Sequence, residues 1–300
     1  MSLRLRAAAA SDIGPHRSVN QDAAFTAPWG AAVADGVGGG PAGDLASAAF
    51  VHRLAAGRVG VLDADHLAET VRMANWDLRA HVQRDPALHG MATTFTGLFV
   101  AGWGSAPDPR LADARPQWGS APNPRLADAR RRTGTLLLAH TGDSRAYLLR
   151  DGTLTQQTRD DSYVQTLVDK GMMTAADAAS HPRRNLITAS LSGGERDSAV
   201  VIEYPPLEGD RWMLCSDGLS DYVPEQEFAE LLRAHSDISD AAAACVALAL
   251  DAGTRDNVTV VVCDVALEAP GFATATFRAD AEPTFYGAAA DRFTERLESA

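Results

Sequence analysis

Four apolar runs in this 300-residue chain each carry an aspartate at one end, and the direction of each run matters. Ala31-Ala32-Val33-Ala34 leads into Asp35-Gly36, and Trp212-Met213-Leu214-Cys215-Ser216 leads into Asp217-Gly218. Leu136-Leu137-Leu138-Ala139-His140-Thr141-Gly142 leads into Asp143. The fourth case is reversed: Asp256-Asn257 comes first and Val258-Thr259-Val260-Val261-Val262 follows. If that strand runs antiparallel to the others, all four carboxylates gather at one edge. Carboxylates packed that closely repel one another and raise each other's pKa. Divalent cations between them, bound by hard oxygen ligands, relieve the repulsion. Asp-Gly is also a favoured turn dipeptide, and Asp151-Gly152 between Leu148 and Leu154 reads as a hairpin turn. A turn accounts for any one of these aspartates; four at matching strand ends point to a metal centre.

The elements that must position them follow from periodicity. Strands are expected over residues 3–8, 23–26, 31–34, 94–101, 136–141, 145–149, 199–203, 212–216 and 258–265. Helices are expected in two pairs. The early pair covers 45–56 and 65–84, the latter with Leu67, Val71, Ala74, Leu78 and Val82 along one face. The late pair covers 224–235, with Pro224 at its first turn, and the Ala-rich 239–252. A short helix over 163–170 stops at Gly171. Antiparallel strands with paired helices predict an α+β layered domain. A doubly wound parallel sheet would alternate strand and helix throughout, and this chain does not.

A hydrophobic content of 46% suits a packed core. The formal charge of −12 disfavours nucleic acid or an anionic membrane as partner, since both need a basic face. No stretch has the roughly 18 apolar residues needed to span a bilayer, and residues 1–10 lack the apolar core of a signal peptide. Cys215, Cys245 and Cys263 sit in apolar runs with no paired spacing, which predicts buried free thiols and a cytoplasmic, soluble protein. Residues 103–115 recur as 118–130 with one substitution, a Pro- and charge-rich duplication read as a loop insertion over 102–133. Beyond 266 the composition changes, and 267–300 reads as a mobile tail outside the domain.

Six motifs follow one another in order: Arg17-Ser-Val-Asn-Gln-Asp22, Asp35-Gly-Val-Gly-Gly39, Met91-Ala-Thr-Thr94, Gly142-Asp-Ser-Arg145, Cys215-Ser-Asp-Gly-Leu219 and Asp256-Asn-Val-Thr259. Together they resemble the metal-dependent protein phosphatases, the type 2C (PPM) serine/threonine phosphatases, in their bacterial form. The likeness runs from about residue 9 to 265, within a catalytic domain spanning 1–266. It implies a four-layer α-β-β-α sandwich of two mostly antiparallel sheets flanked by helix pairs, with a dimetal site at one edge. Asp35 would bridge two Mn²⁺ or Mg²⁺ ions with help from the Gly36 carbonyl, and Asp217 and Asp256 would complete the direct ligands. Asp22 and Gln21 would hold waters bound to the ions, and Asn257 would shape the turn after Asp256. Asp143, with Asp221, would serve a third, weaker ion. Arg17 would clamp the substrate phosphate with its planar, always-charged fork. The reaction implied is hydrolysis of phosphoprotein monoesters by direct attack of cation-activated water. The partners implied are phosphorylated Ser/Thr proteins and a cognate Ser/Thr kinase, with the phosphatase a monomer.

Three departures mark this chain within that resemblance. Val37 stands where some relatives carry a histidine, so it cannot protonate the leaving oxygen. Gln21 replaces a frequent acid. Asp160-Asp161-Ser162 replaces the common Asp-His-Ser at the start of a flap region over 160–195. Two rival functions remain: a pseudophosphatase binding phosphoproteins without turnover, and a dinucleotide-binding oxidoreductase suggested by Gly38-Gly-Gly40-Pro-Ala-Gly43. The strand entering the duplicated loop begins near Thr94 and the strand leaving it ends near Asp143, so the loop belongs at the pole away from the carboxylates. Deleting residues 105–120 should therefore leave turnover of a phosphorylated substrate unchanged; a large loss would show that the loop reaches the site.

Overall fold

The computed structural model of the chain describes residues 2–37, 42–56, 63–102, 134–268 and 282–290. One sheet contains five strands: β1 (Ser2–Asp12), β7 (Arg145–Arg150), β8 (Thr153–Gln156), β10 (Arg211–Cys215) and β11 (Val258–Glu268), in the order β1-β11-β10-β7-β8. The other contains β2 (Asp22–Ala27), β3 (Gly30–Val37), β5 (Phe95–Val100), β6 (Leu136–Thr141), β9 (Val200–Tyr204) and β12 (Thr284–Gly287), in the order β12-β2-β3-β5-β6-β9. The short β4 (Ala92–Thr93) pairs with β3. Every named strand pairing among the described residues is antiparallel. A dinucleotide-binding fold needs parallel βαβ units, so that rival is overturned. Of its glycine motif, residues 38–41 lie outside the described residues.

Three apolar clusters separate the four layers. The first lies between the larger sheet and the helices α1 (Gly43–Ala56) and α2 (Ala64–Arg84), around Phe50, Leu54, Leu67, Leu78 and Phe95. The second fills the space between the sheets with Leu5, Val33, Leu98, Leu138, Trp212 and Val261. Beyond the smaller sheet, the third holds Met213, Val260 and Val262 against α6 (Glu225–Ala234) and α7 (Ile238–Asp251). Both faces of the inner strands are covered, which is why they read as continuous apolar runs rather than alternating ones. Along β11, Val258, Val260 and Val262 face the helices while Val261, Cys263 and Val265 face the other sheet. Between β8 and β9 the flap carries α3 (Tyr163–Asp169) and α4 (Ala175–Ala179), capped by the side chains of Ser162 and Thr174. The four-residue α5 (Asp217–Ser220) follows β10 directly.

The expected strands and the longer helices are present within a few residues of their predicted ends. The tail is a correction. Residues 284–287 pair with the outer edge of β2, and Ala288 and Ala289 are buried in the core beneath α1. The edge of β2 offers unpaired backbone donors and acceptors, and an extended segment satisfies them. The rest of the tail call, 269–281 and 291–300, and residues 103–133 of the duplicated loop lie outside the described residues. Gly102 and Gly134 flank that loop, and register pairs Val100 with Leu136 at this end and Phe95 with Thr141 at the end nearer Asp143.

Candidate metal centre

Antiparallel register brings the acidic residues to one edge. Asp22 and Asp35 are direct cross-strand partners on β2 and β3. Cys215 pairs with Val260, so Asp217 just after β10 and Asp256 just before β11 emerge on the same side. Phe95 pairs with Thr141, which places the turn containing Asp143 beside Thr94 and Asp35. The reversed fourth run therefore works as its direction predicted.

Hydroxyl groups hold the carboxylates in place. Ser216 Oγ donates to Asp22 Oδ2 at 2.7 Å and accepts from the Thr259 amide at 3.0 Å, tying the two sheets together. Thr94 Oγ1 accepts from the Asp35 amide at 3.2 Å and lies 2.8 Å from Ser144 Oγ. The Asp35 carbonyl accepts from the Thr94 amide at 2.8 Å and from Thr93 Oγ1 at 2.9 Å. Asn257 is more than a turn residue: its Oδ1 accepts from the Gln21 amide, and its Nδ2 donates to the carbonyls of Ile13 and Val19. It thereby ties both ends of the Arg17 loop to the start of β11. Gly36 and Gly218 are both placed where a side chain would collide with backbone, the first with Gly43 and the second with the Asn257 carbonyl. The turns carrying Asp35 and Asp217 depend on that close approach.

Electrostatics mark the cluster as strained without a counter-charge. Burial, opposed by hydrogen bonds from Ser216 and Thr259, pushes Asp22 up to about 7. Burial, with the charges of Asp160 and Asp221, does the same to Asp143. Asp35 and Asp217 keep some solvent exposure, yet burial and then the neighbouring carboxylates push both well above the usual range. Asp22 Oδ1, Asp143 Oδ1 and Asp217 Oδ1 are buried without a hydrogen-bond partner. Orphaned carboxylate oxygens in a cluster of like charge are the donor chemistry that suits hard divalent cations.

The side chains do not stand as a finished ligand shell: among the described residues no three acidic, His or Cys groups are close enough together to hold an ion as placed. Asp256 is turned instead to Arg17, whose Nη2 lies 2.6 Å from Asp256 Oδ2 and whose Nε reaches the Arg255 carbonyl. The expected clamp and the expected ligand thus occupy one another here. Asp221, assigned to a third ion, accepts from Arg184 of the flap at 3.3 Å. Gln21 contributes its carbonyl, which accepts from Gly36 and from Ser47 Oγ. Sequence reasoning missed Ser216, Thr259 and Ser144 as supports and gave Thr93 and Thr94 no role at the site. A hydroxyl beside the aspartate in Cys215-Ser216-Asp217 and Asp143-Ser144 was the available signal.

No family model matches the chain. The serine/threonine protein phosphatase PstP of Mycobacterium tuberculosis is 40% identical over 268 residues, covering 88% of this chain and 46% of that protein. A putative protein phosphatase 2C-type of Streptococcus pyogenes serotype M6 is 30% identical, covering 84% of this chain and 94% of that one. A crystal structure of the PstP catalytic domain in complex with two manganese ions superposes with a TM-score of 0.70 at 37% identity, over 88% of this chain and all of that one. The chain spans about half the length of PstP. It belongs to the PPM (type 2C) family of bacterial protein phosphatases.

The raised carboxylates have a direct thermodynamic consequence. In the unfolded chain Asp22 and Asp143 titrate near 3.8, whereas the folded, metal-free chain keeps their protons up to about 7. The folded state therefore binds more protons across that window, and stability falls as pH rises through it. Protein held in EDTA should melt at a higher temperature near about pH 6 than near about pH 8. A melting temperature that rose over the same interval would show that these carboxylates are not buried neighbours.

Proposed function

We propose that this chain is a metal-dependent protein phosphatase that hydrolyses phosphoserine and phosphothreonine monoesters on proteins. The observation that carries the reading is the set Asp22, Asp35, Asp143 and Asp217, drawn from both sheets to one edge, with Asp22 and Asp143 buried and three carboxylate oxygens of the set unpartnered. The manganese pair in the PstP catalytic domain supports a dimetal centre of Mn²⁺ or Mg²⁺ here. Such ions would supply hydroxide near neutral pH and offset charge on the phosphoryl oxygens.

The chain's own residues have separate tasks in this reading. Asp35, the Gly36 carbonyl, Asp217 and Asp256 would hold the cation pair, Asp22 would support it through water, and Asp143 with Asp221 would serve a third site. Arg17 would orient the phosphoryl group with its two-pronged guanidinium. Arg17 is paired with Asp256 Oδ2 in this structure, so its fork would turn part of its donor set from that carboxylate to the phosphoryl oxygens. Val37 offers no proton, so the leaving serine or threonine oxygen takes its proton from water. The flap is anchored to the site at its start: Asp161 exchanges hydrogen bonds with Gly142, and Arg145 grips Asp160 at 2.7 Å. Substrates are phosphorylated proteins, which a serine/threonine kinase must supply, and the enzyme acts as a monomer. No helix among the described residues is long and apolar enough to cross a membrane. Three buried free cysteines support a cytoplasmic setting.

A phosphoprotein-binding module without turnover is the second reading, favoured only by the mutual engagement of Arg17 and Asp256. Hydrolysis of p-nitrophenyl phosphate separates the two: it should require Mn²⁺, vanish in EDTA and vanish in Asp217→Asn. Metal-independent hydrolysis, or none with Mn²⁺ present, would overturn the phosphatase reading. With a phosphopeptide, Arg17→Ala should mainly raise KM; a fall in kcat alone would remove the clamp assignment.

A further inference from the structure

The six motifs of the resemblance all fall before residue 266, yet a later segment contacts the site. We propose that residues 284–290 form a strap that positions Asp22 for cation binding, an inference that rests on the dimetal reading of the site. Strand β12 lies on the outer edge of β2, with Thr284, Phe285, Tyr286 and Gly287 opposite Thr26, Phe25, Ala24 and Ala23. The next residue breaks from the ladder and its amide, Ala288 N, donates to the Asp22 carbonyl at 2.7 Å. Asp22 is wholly buried, so without the strap that carbonyl would lose a partner. Gly287 sits at φ 62°, and a side chain there would collide with the same carbonyl and approach Ser11 Oγ. Only glycine allows the chain this close at that backbone angle.

The strap thus closes on Asp22 from the side opposite Asp35, because β2 lies between β12 and β3. It also approaches the hydroxyl network behind the carboxylate: Ser11 Oγ is 2.7 Å from Thr259 Oγ1, the Thr259 amide donates to Ser216 Oγ, and Ser216 Oγ donates to Asp22 Oδ2. Its anchors are separate from the site. His52 stacks on Phe285 with centroids 4.0 Å apart and binds the Ala289 carbonyl at 2.9 Å, while Ala288 and Ala289 are buried in the helix-side core. The strap therefore has a holding end, at Phe285 and His52, and an acting end, at Gly287 and Ala288. Groups that orient a metal-supporting residue typically cost about tenfold or more in metal affinity when removed.

Ala288→Pro deletes the strap amide that reaches the Asp22 carbonyl and leaves the Phe285–His52 stack and the Ala289 carbonyl in place. Calorimetric Mn²⁺ titration should show affinity weakened by about tenfold or more in Ala288→Pro. Phe285→Ala loosens only the holding end, so it should lower the melting temperature but keep Mn²⁺ affinity within about twofold of the parent. A second measurement uses the unaltered protein: by reciprocity, Mn²⁺ should slow hydrogen exchange at the Ala288 amide, and by more than at the Phe285 amide. An exchange rate at Ala288 indifferent to Mn²⁺ overturns the proposal, as does a folded Ala288→Pro with parental affinity. Should Ala288→Pro fail to fold, the exchange measurement decides. Both readouts are independent of hydrolysis, so a protein that binds Mn²⁺ in this coupled way yet turns nothing over would refute the phosphatase reading and not the strap.

Discussion

Like charge buried at one edge is the constraint around which this fold is arranged. Taking carboxylates from water is costly, and placing them beside one another adds repulsion to desolvation. Asp35 and Asp217 carry both penalties, and Asp22 and Asp143 are held up to about 7. The sandwich supplies rigidity to hold them: each aspartate sits on or just beyond a strand buried on both faces, so the backbones cannot separate without opening a core. The support is mutual between sheets. Ser216 of the smaller sheet bonds Asp22 of the larger one, and Gly218 allows the Asp217 turn to rest against Asn257. Cations at the same edge would convert the penalty into binding energy, which is the physical link between fold and proposed activity.

The same edge also shows competition for acidic groups. Arg17 engages Asp256, and Arg184 of the flap engages Asp221. Each arginine belongs to a surface loop, whereas each aspartate belongs to the scaffold. Exposed or half-exposed ion pairs of this kind contribute little to stability. They are therefore cheap to exchange for a cation on one side and a phosphoryl group on the other.

Much of this was legible in the sequence because the inner strands are buried on both faces. Runs such as 136–141 and 258–262 announce themselves as apolar stretches, and the reversed order at Asp256 unites the cluster given the antiparallel pairing that the register shows. The supports were less legible. Ser216 and Asp22 are separated by 194 positions, and nothing local in a strand hydroxyl names its partner. The pairing of Arg17 with Asp256 spans 239 positions and depends on how Asn257 folds the intervening loop. Strand β12 was read as tail because four residues of Thr-Phe-Tyr-Gly carry a weak pattern. What places them is the open edge of β2, a tertiary property.

The central claim is that the converging aspartates form a site for a pair of divalent cations. Calorimetry of Mn²⁺ binding in two buffers of different ionisation enthalpy, near about pH 6.5, tests it most directly, because binding to protonated carboxylates must release protons. Two ions per chain should bind with net proton release, and both should be lost in Asp35→Asn. Binding of no ion, or binding that releases no protons and survives Asp35→Asn, would contradict it.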